Sequence, residues 1–233
     1  FNTNAGLRTR LLREAQAAAG LNHPNIVSII ETVQEETPVN GSAYFLVMAY
    51  EDGGSLRQLL SEEGRLPVKQ ALEISLDLAD ALTRAHRLGI IHRDLKPGNI
   101  LFDQFDKAYL GDFGIARLQE TGATLTGQVF MGTPAYMSPE QVEGSLAPDG
   151  RADIYALGVM LYEMLAGRLP FEGETQASIL LKHITEIPQP LPFAESRPAV
   201  QAVIDRVEQK LEKVDSSSSR SMATEMSDPW RSV

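Results

Sequence analysis

The sequence predicts an α+β chain with a small mixed N-terminal part and a larger, mainly helical C-terminal part. Three observations carry this. Two β-rich runs, Ile26 to Val33 and Ala43 to Tyr50, lie close together near the start. Apolar residues then recur every three or four positions from Ala71 to Ala85, the period of one helix face. Farther on, "ADIYALGVMLYEMLA" (Ala152 to Ala166) is apolar nearly all round, as a buried central helix would be.

Taken in order, Leu7, Leu11, Leu12 and Ala15 have helical spacing and Gly20 supplies a stop, so a helix is expected over Leu7 to Ala19. The two β-rich runs follow, joined by a loop containing Pro38 and Gly41, and read as one antiparallel pair. "EDGG" breaks the chain before a short helix from about Ser55. Pro67 stands where a first helical turn tolerates proline and Gly89 where a helix ends, bracketing Ala71, Ile74, Leu78, Leu82 and Ala85. From Ile90 to Ile115, apolar runs too short for helices alternate with polar loops. Helical patterns resume near Thr175 to Ile184 and Ala199 to Leu211, and "DSSSSRS" has linker composition. The expected division is residues 1–50, residues 51–214 and a Ser-rich tail at 215–233, with a ligand cleft near Ala49 to Gly54.

Composition narrows the function. A net charge of −10 argues against nucleic acid as a general partner, because backbone phosphates are held by clustered Lys and Arg. The absence of cysteine removes disulfides and thiolate metal sites. No apolar run reaches the roughly 20 residues of a membrane-spanning helix. The expectation is a cytoplasmic segment, compatible with tethering elsewhere in a longer product. The first residue is Phe1 rather than Met, so a processed, trimmed or incomplete frame is expected.

Four segments need a joint explanation. "HRDLKPGNI" (His92 to Ile100) packs Asp94, Lys96 and Asn99 onto one polar loop between apolar runs. "GDFG" places Asp112 between two glycines, which lets the backbone turn sharply. "GTPAYMSPE" (Gly132 to Glu140) is a proline-punctuated extended stretch, and Asp153 opens the central helix. Phosphoryl transfer accounts for the set. It needs a carboxylate to orient an attacking hydroxyl, for which Asp94 is suited. It also needs oxygen ligands for Mg²⁺, for which Asn99 and Asp112 are suited, and Lys96 can offset phosphoryl charge.

In their order and spacing these motifs resemble a eukaryotic-type protein Ser/Thr kinase of the kind common in bacteria, from about Leu7 to Leu211. The resemblance implies a two-lobed fold, ATP and Mg²⁺ as cofactors, and protein substrates. By position it makes Asp94 the catalytic base, Lys96 the lysine typical of Ser/Thr-specific loops, and Asn99 and Asp112 the metal ligands. Met48 matches the gatekeeper, Ala49, Tyr50 and Glu51 the adenine-binding hinge, and Leu101 the residue beneath adenine. Glu14 matches the helix glutamate that pairs with an ATP-binding lysine. Thr133 and Glu140 match the substrate-docking segment, Arg220 matches an arginine that pairs with Glu140, and Thr124 and Thr126 are expected activation-loop phosphorylation sites facing Arg93. His92 is expected as a packed core residue and Asp153 as a tie between catalytic loop and central helix.

The departures also shape the expectation. No lysine precedes Lys69 and only Gly6 and Gly20 precede Gly41, so neither the strand lysine nor the glycine-rich loop is present, and the N-terminal lobe is expected to be truncated. Ala49 replaces the usual hinge glutamate. The chain alone is therefore expected to be weakly active or inactive. The alternative expectation is a non-catalytic, pseudokinase-like binding module; a small-molecule phosphotransferase is disfavoured by "GTPAYMSPE".

Overall fold

The structure, a computed structural model, describes residues 20–37, 41–113, 134–145 and 149–191. By its internal contacts the chain divides into Phe1–Pro188 and Gln189–Val233; every element below belongs to the first unit. The architecture is α+β. The helices expected over Leu7 to Ala19 and Ala199 to Leu211 lie outside the described residues.

Strand β1 (Ile29–Thr37) pairs antiparallel with β2 (Gly41–Met48), from Ile29 opposite Met48 to Thr37 opposite Gly41, with an irregularity between Ile29 and Glu31. The expected pair is real, but its bounds need correcting. Ile26 and Val27 are not part of β1. Both are buried, and the Val27 N–H donates to the Leu110 carbonyl at 3.0 Å while the Leu110 N–H donates to Asn25 at 2.8 Å. Their apolar side chains make these residues more useful to the core than to a half-exposed ribbon. Conversely β1 runs on through polar "ETVQEET", because ladder hydrogen bonds use the backbone whatever the side chains. On this ribbon Ile30, Phe45 and Val47 are exposed.

A second antiparallel pair, β3 (Ile100–Phe102) and β4 (Ala108–Leu110), lies inside the stretch expected to be too short for helices. Asn25 to Val27 runs along β4, and the "EDGG" segment runs along β3. The Gly53 N–H donates to the Phe102 carbonyl at 2.7 Å, and the Phe102 N–H to Gly54 at 2.9 Å. "EDGG" is thus more than a break. A Cβ on Gly53 would lie 2.4 Å from the Asp103 carbonyl oxygen and 2.7 Å from that of Phe102, so no side chain fits there.

Helix α1 (Leu56–Glu63) starts at the expected place, with Ser55 and Gln58 forming a reciprocal capping box. Helix α2 (Val68–Arg87) has Pro67 as its N-cap, and Gly89 follows its C-terminal residues with φ 73°. Its apolar face, Ala71, Ile74, Leu78, Ala81, Leu82 and Ala85, is buried and packs on α4. After a short helix α3 (Pro139–Val142), α4 (Gly150–Ala166) begins two residues earlier than expected, because Asp149 caps it by accepting from the Arg151 N–H at 2.8 Å. Met160, Met164 and Leu165 of α4 are fully buried with Leu78 and Leu82 of α2. Helix α5 (Gln176–Thr185) is capped by Thr175.

Replacing Gly53 by alanine should push the "EDGG" segment off β3, at a cost of about 1–3 kcal/mol for the steric strain. Urea denaturation should show the midpoint falling with an unchanged slope. An unchanged midpoint would mean that the close approach is dispensable.

Candidate active site

The polar loop is shaped by a carboxylate from another element. Asp153, in the first turn of α4 and almost wholly buried, accepts the His92 N–H and the Arg93 N–H, each at 2.8 Å. His86, on α2, donates its Nε2–H to the same carboxylate at 2.8 Å. Three donors thus meet a charge that would otherwise be costly to bury. They also hold Arg93 at φ 65°, a left-handed conformation disfavoured by roughly 1–2 kcal/mol for a residue with a Cβ.

His92 is fully buried and joins two loops. Its Nδ1 accepts the Asp94 N–H at 3.3 Å, which leaves the proton on Nε2 to be donated to the Gly111 carbonyl at 2.8 Å. Burial pushes its pKa down, and nearby Asp153 only partly opposes this, so the ring stays neutral. The Gly111 N–H donates in turn to the Asn99 carbonyl at 2.9 Å, and the Phe113 ring stacks at an angle on His92 with centroids 4.9 Å apart. The loop carrying Asp94 and the segment carrying Asp112 are therefore cross-tied.

On this frame the Lys96 Nζ sits 2.7 Å from Asp94 Oδ2, and the Asn99 Nδ2 donates to the Asp94 carbonyl at 2.8 Å. Because that carbonyl only accepts, the amide's nitrogen must face it, which turns Asn99 Oδ1 the other way. Asp112 is exposed, and its carboxylate has no hydrogen-bond partner among the described residues. Its φ is 45°. The sharp turn expected from the flanking glycines is therefore made by the aspartate itself. One amide oxygen and one carboxylate suit Mg²⁺, which usually takes one or two carboxylates and completes its shell with water and phosphate. No group of three or more His, Cys, Asp or Glu suited to a metal occurs among the described residues.

Met48 ends β2, and the Ala49 N–H continues the ribbon by donating to Ser28 at 2.8 Å. The Ala49 carbonyl and the Glu51 N–H lie outside that ladder. Tyr50 is exposed, and Glu51 is held above the ordinary carboxylate range by partial burial, then by Asp103 and Asp52. Leu101 sits in β3, bridged to Ser55. The "EDGG" hydrogen bonds link these two stretches through the backbone. Glu14, Thr124, Thr126, Thr133 and Arg220 lie outside the described residues, whereas Glu140 is on α3.

Beside Asp94 lies a hollow lined by Arg93, Lys96, Tyr136, Met137 and Gln141. Sequence reasoning passed over what stands behind it. The buried Tyr136 hydroxyl donates to Glu163 of α4 and accepts from Arg57 of α1, and Arg57 also meets Glu163 at 3.0 Å. A glutamate inside the apolar run "LYEML" was the available signal, since a buried charge requires partners. Below the segment Pro134–Tyr136 packs α5, whose buried His183 shares a hydrogen bond with the Tyr155 hydroxyl and meets the Phe171 ring edge-on at 4.8 Å.

Comparison with known proteins defines the class. The protein kinase domain family profile matches residues 2–230, and the chain belongs to that family. It is 42% identical over 200 residues to "Serine/threonine-protein kinase PknB" of Mycobacterium leprae, covering 85% of this chain and 31% of that protein. It is 45% identical over 184 residues to "Serine/threonine-protein kinase PrkC" of Bacillus subtilis, covering 78% and 27%. The chain thus spans about a third of the length of the curated relatives it matches. Among the described residues no helix is long and apolar enough to cross a membrane.

Burial lowers the His183 pKa from 6.5 to about 4. Between those values the unfolded chain binds a proton that the folded chain refuses, so this contribution is complete above about pH 6.5 and shrinks as pH falls toward 4. His92, also depressed, acts with the same sign. Stability should drop by about 3 kcal/mol through His183 across that window, with a further loss of the same sign from His92. Urea titrations at pH 7.5 and 5 should show the loss, and His183→Phe should flatten it; an equal loss in the variant would reject the assignment.

Proposed function

We propose that this chain is the catalytic core of an ATP-dependent protein kinase that transfers the γ-phosphoryl group of ATP to serine or threonine hydroxyls of proteins. The observation that carries it is the joint placement of Asp94, Lys96 and Asn99 on one loop cross-tied to the Asp112 segment. Phosphoryl transfer depends mainly on positioning and charge stabilisation, which such a frame supplies.

In the proposed reaction, Asp94 orients the acceptor hydroxyl and takes its proton as the new O–P bond forms and the bond to the ADP oxygen breaks. Lys96, released from Asp94 when substrates enter, offsets charge on the transferring group. Asn99 Oδ1 and the Asp112 carboxylate would hold Mg²⁺, which when bound neutralises phosphate charge. Met48, Ala49, Tyr50, Glu51 and Leu101 would receive adenine, and Glu14 would anchor a phosphate-binding lysine. Thr133 would belong to the segment that seats the acceptor, whose Ser/Thr identity is supported by Lys96 and by the names of the relatives. Thr124 and Thr126 would be switch sites whose phosphates pair with Arg93. The alternative reading is a non-catalytic binding module that holds partners without turnover.

Phospho-residue analysis after incubating the full gene product with Mg²⁺·ATP and a peptide library should find phosphoserine and phosphothreonine. Asp94→Asn and Asp112→Asn should each lower kcat at least about 10³-fold without lowering the unfolding midpoint. ATP binding without any turnover by the parent protein would instead favour the binding module.

A further test concerns the switch. Mass spectrometry of active protein should find Thr124 or Thr126 phosphorylated, and alanine at both should slow peptide phosphorylation by about tenfold or more. An unchanged rate in the double variant would remove these residues from regulation.

A further inference from the structure

We propose that Arg57 is a positioning residue for the acceptor peptide: from α1 it clamps the Tyr136 hydroxyl against the Glu163 carboxylate and so fixes the wall of the hollow beside Asp94. The inference rests on the kinase reading above and names a residue through which acceptor binding is controlled.

The geometry is a closed triangle drawn from three distant parts of the chain. Arg57 Nη1 meets Glu163 Oε1 at 3.0 Å, Arg57 Nη2 donates to the Tyr136 hydroxyl, and that hydroxyl donates to Glu163 Oε2. An ordinary surface ion pair would contribute little. This one differs because two of its members are buried: Tyr136 is 4% exposed, while the Glu163 side chain is 9% exposed and that of Arg57 48%. Burial and the bond to Glu163 push the Tyr136 hydroxyl pKa up, so it remains a donor. Burial works against the Arg57 charge, but Tyr136 and Glu163 outweigh it and raise its pKa. Without the guanidinium, a buried carboxylate would keep a single neutral donor.

Position makes the triangle more than a brace. Tyr136 lines the same hollow as Asp94 and Lys96, and its segment is one short 3₁₀ turn, Pro134–Tyr136, whose Ala135 backbone also meets His183. The Met137 N–H closes that turn on Pro134 at 3.2 Å, and Gln141 reaches the Arg93 carbonyl only at 3.4 Å. The planar fork of Arg57 is the group that meets both Tyr136 and Glu163, a task for which a lysine ammonium is poorly shaped.

The experiment compares the full gene product with Arg57→Ala, Arg57→Lys and Tyr136→Phe, by hydrogen exchange of residues 134–138 and by steady-state kinetics. Arg57→Ala should speed exchange in that segment about fivefold or more. It should raise the peptide KM about tenfold, leaving kcat and the ATP KM within about twofold. Arg57→Lys should recover part of both effects. Tyr136→Phe should reproduce the KM effect, and the Arg57→Ala, Tyr136→Phe double variant should add little to either, as groups acting through one contact do. Unchanged exchange in Arg57→Ala, or faster exchange with an unchanged peptide KM, would overturn the proposal. If the parent protein phosphorylates no peptide, the kinase reading falls, and exchange alone still decides whether Arg57 holds the segment. Should Arg57→Ala fail to fold, Arg57→Lys and Tyr136→Phe carry the same comparison.

Discussion

The Asp153 carboxylate is the point on which the site depends. It is a charge at the start of a largely apolar helix, and burying it is tolerable only because three N–H groups converge on it. Two of these belong to successive residues of the polar loop, so satisfying the charge and bending the loop are one event. Arg93 is held left-handed as a consequence, and Asp94, the next residue, is thereby aimed into the hollow. Remove the carboxylate and both the strained backbone and the position of Asp94 lose their cause.

From there the order passes through His92. As a neutral ring it accepts from Asp94 and donates to Gly111, which a protonated imidazole could not do. Desolvation keeps it neutral, so the hydrophobic core around the loop has a direct electrostatic use. Core packing and site geometry are coupled in the same residue. The β3–β4 pair completes the frame: it lies between the loop and the Asp112 segment, and "EDGG" and Asn25 to Val27 close its two edges.

Much of this was legible in the sequence, for a physical reason. Asp94, Lys96 and Asn99 fall within six positions and Asp112 thirteen further on, so one short strand pair, β3–β4, suffices to bring the two segments together. The helices were legible from periodicity and caps, with Gly89 and Ser55 marking ends that the structure keeps. The strand bounds were less so. Ile26 and Val27 have strand-forming side chains, but the core beside Leu110 outcompetes the ribbon for them. Asp112 turns the backbone itself because an aspartate tolerates positive φ, a choice that flanking glycines obscure. Of the Arg57–Tyr136–Glu163 triangle only the need of Glu163 for partners was legible, not which residues supply them. Its members are separated by 79, 106 and 27 positions, and no local pattern encodes such a meeting.

That triangle and the Asp153 node share one element. Asp153 and Glu163 stand ten residues apart on α4, which places them about 15 Å apart along a single rigid helix. One end holds the loop that carries Asp94; the other holds the tyrosine that lines the hollow beside it. Helices do not stretch, so α4 sets the spacing between the loop's anchor and the hollow's wall. An apolar central helix with two buried carboxylates is therefore a measuring device as well as a core. Each carboxylate is costly alone, and each becomes acceptable only when its far partners arrive. This ties completion of the site to completion of the fold, and it explains why the two buried acids of α4 face the two parts that must stay in register.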